Sequence, residues 1–588
     1  MRVLIFLPLL LSHPVSADDK ILVTATRSEA SESDLPFSLS SIEGDRWEAA
    51  GGQAEKALST VPGLAFAANG ASGQTRSLFI RGAKAEHTLV LVDGIPVNDP
   101  LSPSRSFDFA QIPVSEIERV EIIKGPQSVL YGSDAMGGVV QIFTKRSRGS
   151  RLRFEGGSYS TGQAQVSAMG FRGGYFETKG FSAADEHEGN GERDGHRMWN
   201  IGGKKSFAMG ETFLMNLNAQ YADSRTDTDR NGGLRGDSSG TFARNRQLLL
   251  REENVAILPG EAELTVAGSL ANRERDDNTN GADFYQSTLW KAESVLRKPK
   301  LGNHSLTAGL EYGEESGRSS QTTGGLRRFR MGAVFLQDQL VAGRFHGNLG
   351  ARFDLHSEHG NAQTYRSGLG YWIQPERMRV KASVGTGFKA PSLYQTYSRY
   401  GSTNLNPERS LGADLGAELK GGSWLTELTL FGNRFRDMID YNLVSNRYFN
   451  QAKAETFGLE WQLEKRWGGF RIANAATWMR AYDANTSLPL MRRPKFTDTL
   501  ESGFSREKHW GVNLLARYVG TRDDSHPVLF TRQPMPAFWT LGADGYKFLA
   551  EGLRLTARGE NLLNRRYQET SGYGVPALSA YVGLETDL

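Results

Sequence analysis

The sequence predicts an all-β membrane protein: an antiparallel transmembrane β-barrel of about 22 strands, behind a smaller N-terminal domain. Three observations carry this. The chain has 588 residues, 23% of them charged, and a mean hydropathy of -0.45. No apolar run reaches the roughly 18–20 residues of a membrane helix. Apolar residues instead recur at every second position, in segments of about ten residues separated by Gly, Asn, Asp and charged turns. This pattern covers about 440 residues, far more than the ~250–300 at which a single soluble core stops growing.

The first element is a leader. The longest apolar run, Val3–Leu11, follows Arg2 and precedes Val15-Ser16-Ala17. A basic start, an apolar stretch and a small-x-small site read as a secretory signal peptide over residues 1–17. Pro8 and Pro14 argue against a buried strand there. The chain has no cysteine, which excludes a disulfide framework and a thiolate metal site and suits an oxidising compartment. With 69 basic and 66 acidic residues the net charge is +3, so no electrostatic field favours nucleic acid. No Gly-x-Ser-x-Gly or His-Glu-x-x-His run occurs, and no spacing singles out a triad, so no enzyme is predicted.

The barrel strands follow from period two, which puts alternate side chains on opposite faces. Trp510, Val512, Leu514, Ala516 and Tyr518 share one face of such a segment; Gly511, Asn513 and Arg517 share the other. Phe470, Ile472, Ala476 and Trp478 repeat the pattern, and so do Trp424, Thr426, Leu428 and Leu430 against Glu427 and Thr429. Aromatics at the ends of apolar stretches mark the two membrane interfaces. In lipid every backbone group needs an internal partner, so these strands must close into a barrel. At ~20 residues per strand and turn, roughly 22 strands fit. Glu186–Arg197 and Asp223–Asn245 read as extracellular loops, and Lys420–Ser423 as a periplasmic turn. The final segment, Ala580–Leu588, alternates as a closing strand, although it ends in Leu where an aromatic residue is usual.

Ahead of the barrel, residues 61–144 alternate short β-type runs (Leu78–Ile80, Thr88–Val92, Val120–Ile123, Val139–Thr144) with glycine-rich turns. The turn glycines supply positive φ at tight reversals. The motifs are Val61-Pro62-Gly63-Leu64, Ile80-Arg81-Gly82, Leu91-Val92-Asp93-Gly94-Ile95-Pro96, Ile117-Glu118-Arg119-Val120-Glu121, Lys124-Gly125-Pro126 and Tyr131-Gly132-Ser133. Together with Gly137-Gly138-Val139-Val140 they resemble the plug domain of TonB-dependent outer-membrane transporters. In the second part of the chain Gly387-Phe388-Lys389-Ala390-Pro391, Asn404-Leu405-Asn406-Pro407-Glu408 and Glu560-Asn561-Leu562-Leu563-Asn564-Arg565-Arg566-Tyr567 extend the resemblance, which is strongest to the cobalamin transporters of that family.

That resemblance implies an α+β plug over residues 31–146 inside a barrel over 147–588, in the bacterial outer membrane, as a monomer. Ile21, Leu22, Val23, Thr24 and Ala25 resemble the TonB box, on a tether over 18–30; strand addition to TonB is the physical logic. Arg81, Glu118, Arg119, Glu121 and Lys124 are candidates for charge-assisted pairs to the barrel wall. The plug apices, 69–74 and 97–106, are placed outward, which makes Asn69, Ser72, Gln74, Val97, Asn98 and Arg105 the expected ligand contacts. Glu192, Asp194, Asp223, Asp227 and Asp237 resemble calcium-binding loop carboxylates, and Ca2+ takes six to eight oxygen ligands; the other reading of the same residues is a solvated acidic loop. The expected ligand is cobalamin or a related corrinoid, passed on to a periplasmic binding protein. The alternative is a ferric siderophore or haem. Stripping cargo from a host protein would call for longer surface loops than this chain carries.

Overall fold

The computed structural model describes residues 21–22, 27, 30–31, 35–49, 54–113, 116–146, 149–188, 190–230, 236–506 and 508–587. The signal peptide, most of the tether and Val23, Thr24 and Ala25 lie outside the described residues. Twenty-two antiparallel strands, from Arg151–Gly157 to Ser579–Asp587, form one closed barrel. The seam is made by those two strands, paired from Arg151 with Asp587 to Gly157 with Tyr581. Closure leaves no strand edge in the hydrocarbon.

Alternation decides which side each residue faces. Leu428, Leu430, Trp478, Val512 and Leu514 are exposed on the outside, as the period-two pattern predicts. The closing strand follows suit: Val582 and Leu584 are exposed while Tyr581 and Glu585 are buried. Turns at one end are short, such as 421–423 between Glu408–Lys420 and Trp424–Asn442. Segments at the other end are long, notably 179–195, 228–241, 390–407, 520–537 and 561–578. These are the two predicted loop classes. The second predicted loop is shorter than expected, because strand Phe213–Asp227 continues through Asp223.

The plug fills the lumen. A five-stranded sheet orders Leu39–Glu43, Ile117–Lys124, Gly138–Thr144, Thr88–Val92 and Ile95–Pro96, with a separate hairpin of Leu64–Ala68 and Arg76–Ile80. Thr88–Val92 runs parallel to Gly138–Thr144, and the other pairs are antiparallel. Both faces of the sheet are covered, so its strands read as continuous apolar runs. Ile42, Trp47, Leu58, Ile80, Val90, Val120, Ile122 and Val140 form its core.

Charge pairs fasten plug to wall. Arg81, fully buried, gives two hydrogen bonds to Glu460 (2.8 and 3.1 Å) and one to Asp414 (2.5 Å). Lys124 reaches the same Glu460 at 2.7 Å. Gly63 sits at φ +85 directly beside this carboxylate; a Cβ there would lie 2.0 Å from Glu460 Oε1. Two of the expected wall contacts fail and are corrected here: Glu118 is exposed, and Arg119 pairs within the plug, with Glu121 at 3.0 Å. Both lie on the plug strand Ile117–Lys124.

Glu460→Ala would strand two buried cations at once. Removing one partner of a buried pair costs about 3–5 kcal/mol. The expected outcome is a lower midpoint for plug unfolding with the barrel still resistant to heating, measured by calorimetry and gel mobility. An unchanged plug midpoint would show that Asp414 alone holds Arg81.

Candidate functional site: the outer vestibule

The plug apices and the barrel wall enclose a cavity of about 500 Å³ at the long-loop end. Its floor is the plug: Asn69, Gln74, Thr75, Asp99, Ser104 and Asp108. The first apex is a tight loop. Asn69 donates its backbone N–H to Thr75, Gln74 does the same to Ala71, and Gly70 and Gly73 have positive φ. A Cβ on Gly73 would lie 2.2 Å from the His196 ring, so glycine lets the apex press on the wall. The wall contributes Ser224, Asn245, Arg273, Arg275, Tyr285 and Ser287, and loops above add Asp229, Arg230 and Tyr573.

The charges in this lining nearly cancel. Arg230, Arg273 and Arg275 face Asp99, Asp108, Asp229 and Asp277. Arg246 and Glu274 border the same cavity but stand on outward rows of their strands, where Arg246 pairs with Glu274 at 3.1 Å and with Asp276 at 2.7 Å. Arg275 stacks over Tyr285 at 4.0 Å. Beyond Tyr285 lies an aromatic cluster that includes Phe329, Tyr394, Tyr397, Tyr400 and Tyr448. The short helix Leu393–Tyr397 presents two of these, Tyr394 and Tyr397, and is started by a capping box between Ser392 and Gln395. A neutral or weakly charged, polar and partly aromatic ligand suits such a surface better than a strongly charged one.

The expected ligand contacts divide. Asn69 and Gln74 line the vestibule, although Gln74 spends its amide on the backbone oxygen of Asp227 at 2.7 Å. Ser72 faces a different space, a crevice of about 190 Å³ between plug and wall. Val97, Asn98 and Arg105 are corrected: all three are buried framework. Asn98 holds its own loop together, accepting from Val90 N–H and donating to the Thr88 and Arg105 carbonyls. Arg105 is clamped by Asp134 at 2.8 Å and by Glu315. Sequence reasoning saw polar residues at an apex; it had no signal that partners would consume them. It also missed Arg273, Arg275 and Tyr285, whose alternation into the lumen is legible only once register is known.

The acidic loops divide too. Glu192, Asp194 and Asp229 bring carboxylate oxygens within 4.8 Å of one another. Each is pinned by backbone N–H groups: Ala183 to Asp194 (2.6 Å), Ala184 to Asp229 (2.9 Å) and Ser238 to Glu192 (3.0 Å). Burial, and then the neighbouring Asp229 and Glu192, push the Asp194 carboxyl up to about 8 against the opposing pull of the Ala183 N–H. Carboxylate oxygens are the ligand type that hard divalent cations take. Asp237 stands beside them, engaged with Ser182 and with the Gly191 and Glu192 N–H groups. Asp223 and Asp227 are corrected. They lie on the odd row of strand Phe213–Asp227, whose Leu217 is exposed on the outside. Asp223 there pairs with Arg244 at 2.6 Å, and Asp227 lies 3.9 Å from Arg225.

Ile21–Leu22 pairs antiparallel with Ala30–Ser31. Between them Arg27 is half-buried and reaches Glu293 (3.2 Å) and Glu311 (2.5 Å) on the wall. Its guanidinium also stacks near Tyr131 and Phe335, at 4.9 and 5.1 Å. This arginine ties the segment between these two short strands to the barrel.

Comparison with known proteins agrees with this architecture. The family description "TonB-dependent Receptor Plug Domain" matches residues 31–139, and "TonB dependent receptor-like, beta-barrel" matches residues 141–562. The fold is similar to the siderophore receptor PirA from Acinetobacter baumannii, with a TM-score of 0.78 at 20% identity over 94% of this chain and 98% of that one. It is similar to the ferric enterobactin receptor of Pseudomonas aeruginosa, with a TM-score of 0.78 at 20% identity over 97% and 100%. The FrpB iron transporter from Neisseria meningitidis gives a TM-score of 0.75 at 13% identity over 91% and 96%. The chain belongs to the TonB-dependent receptor family and is an outer-membrane transporter.

Proposed function

We propose that this receptor takes up a bulky metal chelate of low net charge, bound first in the outer vestibule. The charge balance of that lining carries the reading: a trianionic ligand would meet four carboxylates against three arginines. Two ligand classes meet the description. A ferric siderophore is supported by the relatives, since PirA and the ferric enterobactin receptor are named for such ligands. A corrinoid is supported by the polar, nearly neutral lining, by the motifs of residues 387–409 and by the acidic loop cluster. The relatives weigh toward the siderophore and the lining toward a chelate without strong charge; a neutral hydroxamate-type siderophore satisfies both.

The test is a direct comparison on the purified protein of cyanocobalamin, a neutral ferric hydroxamate and a trianionic ferric catecholate. Tight binding of either neutral chelate, with the catecholate weaker by roughly tenfold or more, is expected. Preference for the catecholate would overturn the low-charge reading and leave the transporter intact. Asn69→Trp should block the bound ligand without disturbing the barrel, whose gel mobility on heating reports its integrity.

Calcium is proposed for the cluster of Glu192, Asp194 and Asp229. It would hold segments 179–195 and 228–241 together above the vestibule. Ligand and calcium then tighten each other, because coupling between sites is reciprocal. Asp194→Asn with Asp229→Asn should abolish calcium binding in calorimetry and make ligand affinity the same in calcium and in chelator. If the unmodified protein already shows no difference between the two conditions, the cation has no role.

The segment 21–25 is proposed as the TonB-binding strand. Proline at Leu22 or Val23 removes a strand hydrogen bond and fixes φ. Uptake should fall to the level of cells without TonB, while ligand binding to the cell surface persists. Normal uptake by either variant would place the box elsewhere.

A further inference from the structure

The charges of the vestibule lining balance in sum but not in arrangement. On its wall three adjacent strands meet: Phe242–Leu258, Ala262–Asp277 and Asp283–Leu301. Their register sets two inward rows side by side. Asn245, Arg275 and Tyr285 form the upper row, and Gln247, Arg273 and Ser287 the lower. Each row holds an arginine between two neutral side chains. The next inward row below is apolar, with Leu249, Ala271 and Leu289.

The carboxylates of the lining already have donors. Asp99 accepts from the Leu101 N–H and the Ser287 hydroxyl, at 3.0 and 3.2 Å. Asp108 accepts from the N–H groups of Arg76 and Ala110. Asp229 is held by the N–H groups of Ala184 and Ser238, and Asp277 accepts from the Thr279 N–H at 2.9 Å. The arginines have no such counterpart. Among the described residues neither Arg273 nor Arg275 is ion-paired with a carboxylate.

Their contacts are with neutral groups. Arg273 donates to the Val97 carbonyl. In the amide orientation that satisfies both partners, the Gln247 oxygen accepts from Arg273 Nε and Nη2 at 2.8 and 2.7 Å. These bonds fix the guanidinium and leave Nη1 out. Tyr285 backs the Arg275 guanidinium, whose Nε is buried without a hydrogen-bond partner. Residues two apart on a strand share a face, so two fixed cations stand together at the edge of the cavity. A charge drawn out of water needs an opposite partner, and the wall supplies none to these two.

We propose that Arg275 and Arg273 receive a single carboxylate of the transported chelate. Arg275 makes the main contact and Arg273 Nη1 the second. A guanidinium offers paired donors that match the two oxygens of a carboxylate. A second anionic group on the ligand would stand beside Asp99, which is bonded to Ser287 of the lower row, or beside Asp277, one inward position above Arg275. The inference rests on the proposed use of the vestibule, and it specifies the low-charge chelate as one that bears one carboxylate.

The experiment is calorimetric titration of the purified full-length protein at pH 7 with two matched pairs. One pair is a neutral ferric trihydroxamate and the same chelate with one pendant carboxylate. The other is cyanocobalamin and its monocarboxylic acid, in which one side-chain amide is hydrolysed. On at least one scaffold the acid should bind about tenfold or more tightly than its neutral counterpart. Arg275→Gln should remove that preference, and Arg275→Lys should keep part of it. Asp277→Asn takes away the neighbouring negative charge and should strengthen the preference, a change of opposite sign that a misfolded variant does not give. Arg244→Gln, on the outward row, should leave the preference unchanged. Equal affinity for acid and neutral form on both scaffolds, binding of neither acid, a preference that survives Arg275→Gln, or one that weakens in Asp277→Asn would each overturn the proposal. A catecholate bound more tightly than either pair would instead overturn the low-charge reading, and the ratio of acid to neutral form would still decide this one.

Discussion

A strand in hydrocarbon must pair both of its edges, and this one requirement shapes the molecule. An open sheet would leave two edges unsatisfied at several kcal/mol per polar group. Here the seam between Arg151–Gly157 and Ser579–Asp587 closes the circuit. Closure with 22 strands makes a lumen too wide for side chains to fill. An unfilled lumen would be an open pore, so the chain places a folded domain there. The plug is thus a consequence of barrel width, and its contacts with the wall are the next constraint.

Those contacts are partly apolar, as where Leu130 packs on Val295 and Phe335 and Met136 belongs to the cluster of Phe435, Met438 and Ala454, and partly charged. An apolar plug surface would fuse with the wall; buried ion pairs hold position with little net stability, since desolvation offsets much of the attraction. Glu460 takes both Arg81 and Lys124, and Glu311 takes Arg27 along with wall cations. Such shared carboxylates make the attachment collective.

How much of this was legible in sequence depends on which period the information has. Strand existence, facing and loop class have period two and are local; Trp478 and Leu514 could be assigned outward without any partner. Plug turns were legible because positive φ at Gly63 or Gly73 needs glycine. Ligand contacts were not, because exposure of a polar side chain depends on distant partners. Asn98 looks like an apex amide until Val90 and Thr88 take its hydrogen bonds. Arg105 looks like a cation for an anionic ligand until Glu315, 210 residues away, claims it. Register over such distances is invisible to spacing.

Row parity settles which charges belong to which solvent. Asp223 and Asp227 were expected beside Glu192 because the resemblance sets them together as calcium-binding loop carboxylates. Strand Phe213–Asp227 runs through both and sets them on its outward row, which leaves Asp229, beyond the strand end, to join Glu192 and Asp194. The same parity separates Arg273 and Arg275, inside the vestibule, from Glu274 and Asp276 between and beyond them. A barrel strand therefore carries two interleaved messages, one read by the transported ligand and one by the membrane. Composition averages them into a net charge of +3, which hides the near-neutral vestibule.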